Sequence, residues 1–190
     1  QANTIHQNLQ NGLGSGIDVV SSFADQRVIE CTKESVKEHK WSILNWPSKL
    51  YFKVLKTYQN ESTQRLIKNY QKFSILHSKR FEIILGQLLE ISQNISFAWK
   101  SQSINEILDL LVAYDAQLKK VDHLGNIGIY TTIHKNLQRV AGDYNVFYKP
   151  SGAGGGDIGI ALSPSPESLN GFLDEIDRLN WNIDCLPSKR

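Results

Sequence analysis

The chain has 190 residues, of which 41% are hydrophobic and 21% are charged. This composition is typical of a globular protein long enough to bury its own core, and it excludes a disordered tail and a coiled coil. The formal net charge of +2 provides no basic field of the kind that favours nucleic acid as a partner.

Neither a membrane segment nor a metal site is visible in the sequence. The longest apolar runs, such as residues 83–85, are too short to cross a bilayer, so we expect a cytoplasmic protein without a membrane partner. The five histidines are scattered and no C-x-x-C occurs, so no metal site is predicted. The chain begins with Gln1 and has no methionine, which indicates either a piece of a longer protein or dropped methionines.

The first third of the chain contains short runs rich in β-branched and aromatic residues, which predict strands. They are residues 27–31, 41–46 and 50–55. From about residue 60 the hydrophobic period changes from 2 to 3.6, which predicts helices. Four apolar stripes follow in order, and they begin at Leu66, Phe81, Ile104 and Ile129. Ser103 with Glu106 predicts a capping box at the start of the third helix.

The last quarter of the chain returns to strand-like patterns. Strands are predicted at residues 144–148 and 158–162, and a helix begins at Ser165-Pro166 because proline suits the first helical position. Alternating apolar residues at 181–185 predict a final strand. Strands, four helices, a strand pair, a helix and a strand together indicate an α+β fold.

The glycine-rich segment between two of these predicted strands is the strongest functional feature. A hairpin turn needs only one or two glycines, whereas four in five positions predict positive φ angles and close approach of a ligand. Successive N–H groups in such a loop bind anions. The alternative is a flexible hairpin in which Asp157 caps its own turn. The predicted phosphate loop comprises Lys149, Ser151, Gly152, Ala153, Gly154, Gly155, Gly156 and Asp157.

A second glycine stretch, Gly14-Ser-Gly-Ile-Asp18, places a carboxylate directly after a turn. Such a carboxylate is positioned to accept a proton from a ligand, but Asp18 or Ser15 is equally suited to cap a helix. Ser62-Thr63 also reads as an N-cap, and it would direct the free N–H groups of a helix at a nearby anion.

Three of these segments resemble the GHMP kinase superfamily, which includes galactokinase, homoserine kinase, mevalonate kinase and phosphomevalonate kinase. Residues 150–162 resemble the C-terminal glycine motif of phosphomevalonate kinases, and Asp157 after the glycine triplet favours that branch. Residues 6–20 resemble the segment with the catalytic aspartate, which corresponds to Asp18. Residues 56–63 are similar to the segment that opens the C-terminal domain.

The resemblance implies that residues 1–46 are the end of an N-terminal kinase domain and that residues 47–190 form the ferredoxin-like α+β C-terminal domain. Kinases of this superfamily bind ATP through a Pro-x-x-x-Gly-Leu-Gly-Ser-Ser loop that precedes the catalytic aspartate. Gly12-Leu-Gly-Ser15 is superficially similar, but Gly16 replaces the second serine. We therefore expect that the chain lacks the ATP loop.

The function implied is phosphoryl transfer from ATP to the phosphate of 5-phosphomevalonate, in the mevalonate pathway to isoprenoids, with Mg²⁺ as a further cofactor. Asp18 would be catalytic, and Ser15, Gly16, Ser62 and Thr63 would bind the phosphorylated substrate. The alternatives are mevalonate kinase or another small-molecule GHMP kinase, and a non-catalytic ferredoxin-like binding domain. The chain alone is expected to be inactive if it lacks the ATP loop, and its oligomeric state is left open.

Overall fold

The fold is an antiparallel sheet with helices on both faces, seen in a computed structural model that describes residues 28–30, 41–59, 62–152 and 154–187. The strands are β1 (Val28–Glu30), β2 (Ser42–Leu44), β3 (Tyr51–Lys56), β4 (Phe147–Pro150), β5 (Ile158–Ser163) and β6 (Asp184–Leu186). The helices are α1 (Thr63–Leu76), α2 (Ser78–Lys100), α3 (Ile104–Gly125), α4 (Thr132–Asp143) and α5 (Pro166–Arg178). Within these ranges, no helix combines the length and the apolar character that crossing a membrane requires.

The main sheet has the strand order β4-β5-β3-β6, and every neighbouring pair is antiparallel. The longest pairing, between β3 and β5, runs from Tyr51 opposite Ser163 to Lys56 opposite Ile158. From β3 onwards the chain runs strand, four helices, two strands, helix and strand. This chain order, combined with the strand order of the sheet, is the ferredoxin-like arrangement, in which α1 to α4 form the first crossover between strands. The predicted α+β fold is confirmed.

Alternation along the strands divides the sheet between two cores. Leu55 and Tyr148 point to the face covered by α4 and α5, where Leu137 and Phe172 are buried. Leu162 follows Ala161, the β5 residue that pairs with Tyr148, and points to the opposite face of the sheet, towards the end of α2 and the start of α3. The ribbon of β1 and β2 packs on this second core through residues that include Val28 and Leu44.

The first three helices form a further core of their own, as their apolar stripes predict. Leu66 and Phe73 of α1 are buried against Ile84 of α2 and Val121 of α3. Ile127, just beyond α3, closes this cluster. The loop that follows α3 is therefore attached to the helical layer before the chain enters α4.

Several predicted boundaries and one predicted cap were wrong. The final strand was predicted at residues 181–185 but spans Asp184–Leu186. The fourth stripe was predicted to begin at Ile129, but α4 begins at Thr132 and Ile129 lies in the preceding loop. The strand predicted at 144–148 begins at Phe147, because Asn145 adopts a φ of 55° in the turn that ends α4. Ser103 occupies the N-cap of α3, but its side chain makes no capping hydrogen bond, so the capping box does not form.

Two N-cap serines provide a test of local helix stability. Ser165 Oγ accepts a hydrogen bond from the N–H of Ser168 at 3.1 Å, whereas Ser103 makes no such bond. We expect Ser165→Ala to lower the free energy of unfolding by about 1 kcal/mol. Ser103→Ala is the matched control and is expected to change it by less than about 0.5 kcal/mol. Urea denaturation measures both; equal losses would contradict the assignment of Ser165 as the capping side chain.

Candidate functional site

The glycine-rich loop connects β4 to β5 and has the backbone conformation that its composition predicts. Gly152, Gly154 and Gly155 have φ angles of 67°, 81° and 59°, which side chains other than glycine rarely adopt. Ala153 lies outside the described residues. The loop therefore turns through three left-handed positions between two paired strands.

Ile129 anchors this loop from outside the hairpin. The N–H of Gly155 donates to the carbonyl oxygen of Ile129 at 2.7 Å, and a β-carbon on Gly154 would overlap the Ile129 side chain. The N–H of Gly154 donates to the Ser151 carbonyl oxygen at 3.4 Å. Among the described residues, the N–H groups of Gly152, Gly156 and Asp157 have no partner.

His134 of α4 holds the other side of the loop. Its side chain is fully buried, with Nε2 at 2.9 Å from the carbonyl oxygen of Gly156 and Nδ1 at 2.8 Å from the hydroxyl of Tyr148. A carbonyl oxygen only accepts, so Nε2 carries the proton. Burial lowers the pKa of His134, which favours the neutral ring, so the Tyr148 hydroxyl donates to Nδ1.

The depressed pKa of His134 predicts a loss of stability in mild acid. In the unfolded chain this histidine takes up a proton near its usual pKa of 6.5, whereas the folded protein resists protonation. Its contribution to stability is therefore complete above about pH 6.5 and is lost as the pH falls towards the lower folded-state pKa. Each proton taken up on unfolding lowers the free energy of unfolding by about 1.4 kcal/mol per pH unit.

We expect His134→Gln to remove this component of the pH dependence, because the amide keeps a donor for Gly156 but does not titrate. Urea denaturation at several values between about pH 5.5 and 7.5 measures it, since histidine titrates in this range. His123→Gln, at an exposed position near the end of α3, is the control that should retain the slope. An unchanged slope in His134→Gln would show that another group is responsible.

Asp122, near the end of α3, fixes the segment that carries Ile129. Its carboxylate accepts hydrogen bonds from the N–H groups of Gly128 at 2.7 Å, Ile129 at 2.7 Å and Tyr130 at 3.2 Å. Three donors converge on one charged group, which makes these hydrogen bonds stronger than neutral ones. Asp122 thus positions the glycine loop indirectly, through Ile129.

A buried carboxylate that sequence reasoning missed lies beneath β4. Asp115 is only 5% exposed and accepts hydrogen bonds from the Tyr130 hydroxyl at 2.5 Å and from Gln138 Nε2 at 3.0 Å. It also pairs with Lys119 at 2.8 Å, and Gln138 Nε2 lies 3.0 Å from the carbonyl oxygen of Tyr148. An acidic residue within the apolar stripe of α3 was the available signal.

Lys149 lies at the entrance to the loop, and its ammonium is bound to backbone. Nζ donates to the carbonyl oxygen of Pro150 at 2.7 Å. Burial lowers the pKa of Lys149, and the charge of Asp115 acts in the opposite direction. The positive charge is therefore held beside the loop and does not extend into solvent.

The first turn of α1 lies beside the segment that anchors the loop. Ser62 Oγ accepts from the N–H of Arg65 at 3.4 Å, which confirms the predicted N-cap, and Thr63 is the first helical residue. A β-carbon on Gly128 would lie 3.0 Å from Nη2 of Arg65, so this guanidinium packs beside the segment that carries Ile129. Arg65 was missed, although a cation in the first turn after a predicted N-cap was visible.

The end of β3 is joined to the loop directly. The N–H of Thr57 donates to the carbonyl oxygen of Asp157 at 2.5 Å, and Thr57 precedes Ser62 by five residues. The structure therefore places Lys149 and Thr57 against the glycine loop, and Arg65 of α1 beside the segment that anchors it. The predicted Ser15, Gly16 and Asp18 lie outside the described residues.

No group of three or more histidine, cysteine, aspartate or glutamate side chains is placed to hold a metal ion in the part of the chain that the structure describes. Mg²⁺ prefers oxygen ligands, and proteins usually hold it with one or two carboxylates together with substrate phosphates. We assign it no protein ligand among these residues.

Comparisons with known proteins find similarity in structure but not in sequence. No protein-family model matches the chain, and no curated protein sequence matches it. The Lin0012 protein from Listeria innocua superposes with a TM-score of 0.71 at 26% identity, over 82% of this chain and 44% of that one. Leishmania major mevalonate kinase, solved with R-mevalonate, superposes with a TM-score of 0.66 at 17% identity, over 79% of this chain and 46% of that one.

A third solved structure is Streptococcus pneumoniae phosphomevalonate kinase in complex with phosphomevalonate and AMPPNP. It gives a TM-score of 0.65 at 22% identity, over 83% of this chain and 45% of that one. The chain thus spans less than half the length of each of these proteins. Its described part has the α+β fold of the C-terminal half of the GHMP kinases that act on mevalonate or phosphomevalonate.

Proposed function

We propose that the chain is the later part of a GHMP-type kinase that transfers the γ-phosphoryl group of ATP to the phosphate of 5-phosphomevalonate. In this proposal residues 1–46 end the N-terminal domain and residues 47–190 form the C-terminal domain. The observation that carries it is the glycine loop, in which three left-handed glycines are anchored by Ile129 and His134 between two paired strands.

The loop is suited to holding phosphate against another phosphate. The reaction must bring two anions together, so positioning and neutralisation of charge dominate its catalysis. The unpartnered N–H groups of Gly152, Gly156 and Asp157 would donate to phosphate oxygens. The ammonium of Lys149 and the guanidinium of Arg65 would reduce the repulsion between the anions.

The remaining roles rest on the family resemblance. Ser62 and Thr63, together with Ser15 and Gly16, would bind the acceptor. Asp18 would orient the acceptor or take its proton. A phosphate acceptor is already largely ionised at neutral pH, so Asp18 matters less as a base than it would for an alcohol. Mg²⁺, when bound with ATP, supplies further neutralisation of charge.

The acceptor is assigned from Asp157, because an acidic residue after the glycine triplet favours the phosphomevalonate branch. Mevalonate is the second candidate, since the solved mevalonate kinase superposes as well as the phosphomevalonate kinase, with TM-scores of 0.66 and 0.65. The release of ADP by the complete enzyme, measured in turn with phosphomevalonate and with mevalonate, distinguishes the two. Release of ADP with mevalonate but not with phosphomevalonate would overturn the proposed acceptor.

Binding by the chain itself tests the loop. Titration with AMPPNP and, separately, with 5-phosphomevalonate should shift the ¹⁵N–¹H resonances of Gly152 and Gly156. Gly86 and Gly142, which lie in helices, are internal references that should not move. If neither ligand shifts the loop resonances, the phosphate-binding role is wrong, and the non-catalytic binding domain becomes the better reading.

In the complete enzyme, Asp18→Asn is expected to lower turnover by about 100-fold while the fold survives, because the amide neither accepts a proton nor carries the charge. Asp109→Asn, at an exposed position on α3, is the matched control and should keep full turnover. Steady-state ADP release measures both. An unchanged turnover number in Asp18→Asn would remove this residue from the site.

A further inference from the structure

A half-open cavity of about 220 Å³ lies among α1, α2 and α3, and the exposed side chains of Tyr70 and Leu89 belong to its lining. The proposed phosphoryl transfer does not use it. Its lining includes Tyr70, Phe81, Leu88, Tyr114 and Ile129. No charged side chain belongs to the lining among the described residues. An apolar cavity of about 150 Å³ is large enough to bind benzene, so this one accommodates a single aromatic ring with small substituents.

The walls favour an aromatic and neutral occupant. Tyr70 and Phe81 make a T-shaped contact with ring centroids 5.1 Å apart, and Tyr114 adds a third ring. Aromatic rings pack edge to face against one another with a gain beyond the area that they bury. Desolvation raises the pKa of both Tyr70 and Tyr114, so burial here favours the neutral form of these two hydroxyls.

One residue of the lining also carries the glycine loop. Ile129 borders the cavity, its side chain contacts Gly154, and its carbonyl oxygen accepts from the N–H of Gly155. Its own N–H is held by Asp122. A molecule in the cavity therefore presses on the residue that positions the left-handed glycines, because close-packed side chains transmit small displacements.

We propose that this cavity is a binding site for a small, neutral aromatic molecule, and that occupancy is transmitted to the glycine loop through Ile129. Such a site would regulate the loop from outside the region that contacts phosphate. The binding and its effect on the loop stand on the geometry alone, whereas the regulation of phosphate binding rests on the proposed function.

The test uses 4-fluorophenol with the full 190-residue chain. Its ¹⁹F resonance should shift or broaden saturably when the protein is added. In the ¹⁵N–¹H spectrum, the amides of Gly154 and Gly155 should move with the same apparent Kd. Gly171, in α5 on the far side of the sheet, is an internal reference that should stay in place.

Matched variants of α2 identify the site. Leu88→Phe fills the cavity and is expected to weaken binding of 4-fluorophenol by about tenfold or more, which corresponds to 1.4 kcal/mol. Ile83→Phe adds the same ring on the same helix, at a position that is 64% exposed and outside the lining, and should bind as the parent does. Ser92→Phe, at an exposed position of the lining, serves as a second blocking variant if Leu88→Phe does not fold.

Three results would overturn the proposal: absence of saturable binding, equal binding by the blocking and control variants, or binding that leaves Gly154 and Gly155 unmoved. None of these depends on phosphate. Titration with AMPPNP in the absence of 4-fluorophenol tests the proposed function separately, so the two proposals fail in distinguishable ways.

Discussion

Replacement of Gly154 by alanine is expected to lower the free energy of unfolding by about 3 kcal/mol. Two costs add at this position. A side chain at a φ of 81° costs about 1 to 2 kcal/mol. The new β-carbon would also lie 3.0 Å from Cα of Ile129 and overlap its side chain, and overpacking of this kind costs about 1 to 3 kcal/mol.

Gly152→Ala separates these two costs. Gly152 has a φ of 67°, but a β-carbon there would meet no atom within 4 Å. We therefore expect a loss of only about 1 to 2 kcal/mol from backbone strain. Urea denaturation measures the free energy of unfolding of both variants. Equal losses would mean that Ile129 does not press on the loop.

Asp122→Ala is expected to destabilise the chain by about 3 kcal/mol, because it leaves three backbone N–H groups without their charged acceptor. Asp122→Asn should have a smaller effect, since its amide oxygen can serve Gly128 and Ile129 while its NH₂ group faces the N–H of Tyr130. Urea denaturation gives the loss of stability for each. Comparison of Asp122→Ala with Asp122→Asn tests whether loss of the hydrogen-bond acceptors, and not a change in helix propensity, causes the loss of stability.

The same variant should loosen the glycine loop. Because Ile129 is held by Asp122 and in turn accepts from Gly155, hydrogen exchange at the Gly155 amide is expected to accelerate in Asp122→Ala. Asp109→Ala, at an exposed position on the same helix, is the control; it should change stability by no more than about 0.5 kcal/mol and leave this exchange rate unchanged. If exchange at the Gly155 amide is as slow in Asp122→Ala as in the parent, the conformation of the loop does not depend on Asp122.

Much of the fold could be predicted because local patterns and tertiary packing agree. The stripe that contains Leu66 and Phe73 faces the helical core, and alternation in β3 places Leu55 in one core of the sheet. The predicted start of β4 was wrong because the conformation of a single residue decided it. Asn145 turns the backbone before β4, and periodicity does not report a left-handed residue.

The candidate site could be predicted only in part. The glycines between two strands identified the loop and its positive φ angles, because few other residues adopt them. The anchors of the loop were not visible, since Ile129 lies 26 residues before Gly155 and Asp122 lies further away still. Periodicity placed Ile129 in a helix, although its backbone bonds with the loop are what position it.

By itself, the sequence determined the α+β class, the order of its elements and the position of a glycine loop between two strands, because these follow from local conformational preference and hydrophobic period. Only the tertiary structure decided which groups hold that loop. The convergence of Asp122, Ile129 and His134 depends on how α3 and α4 pack against the sheet, and contacts between residues distant in the chain carry no local signal.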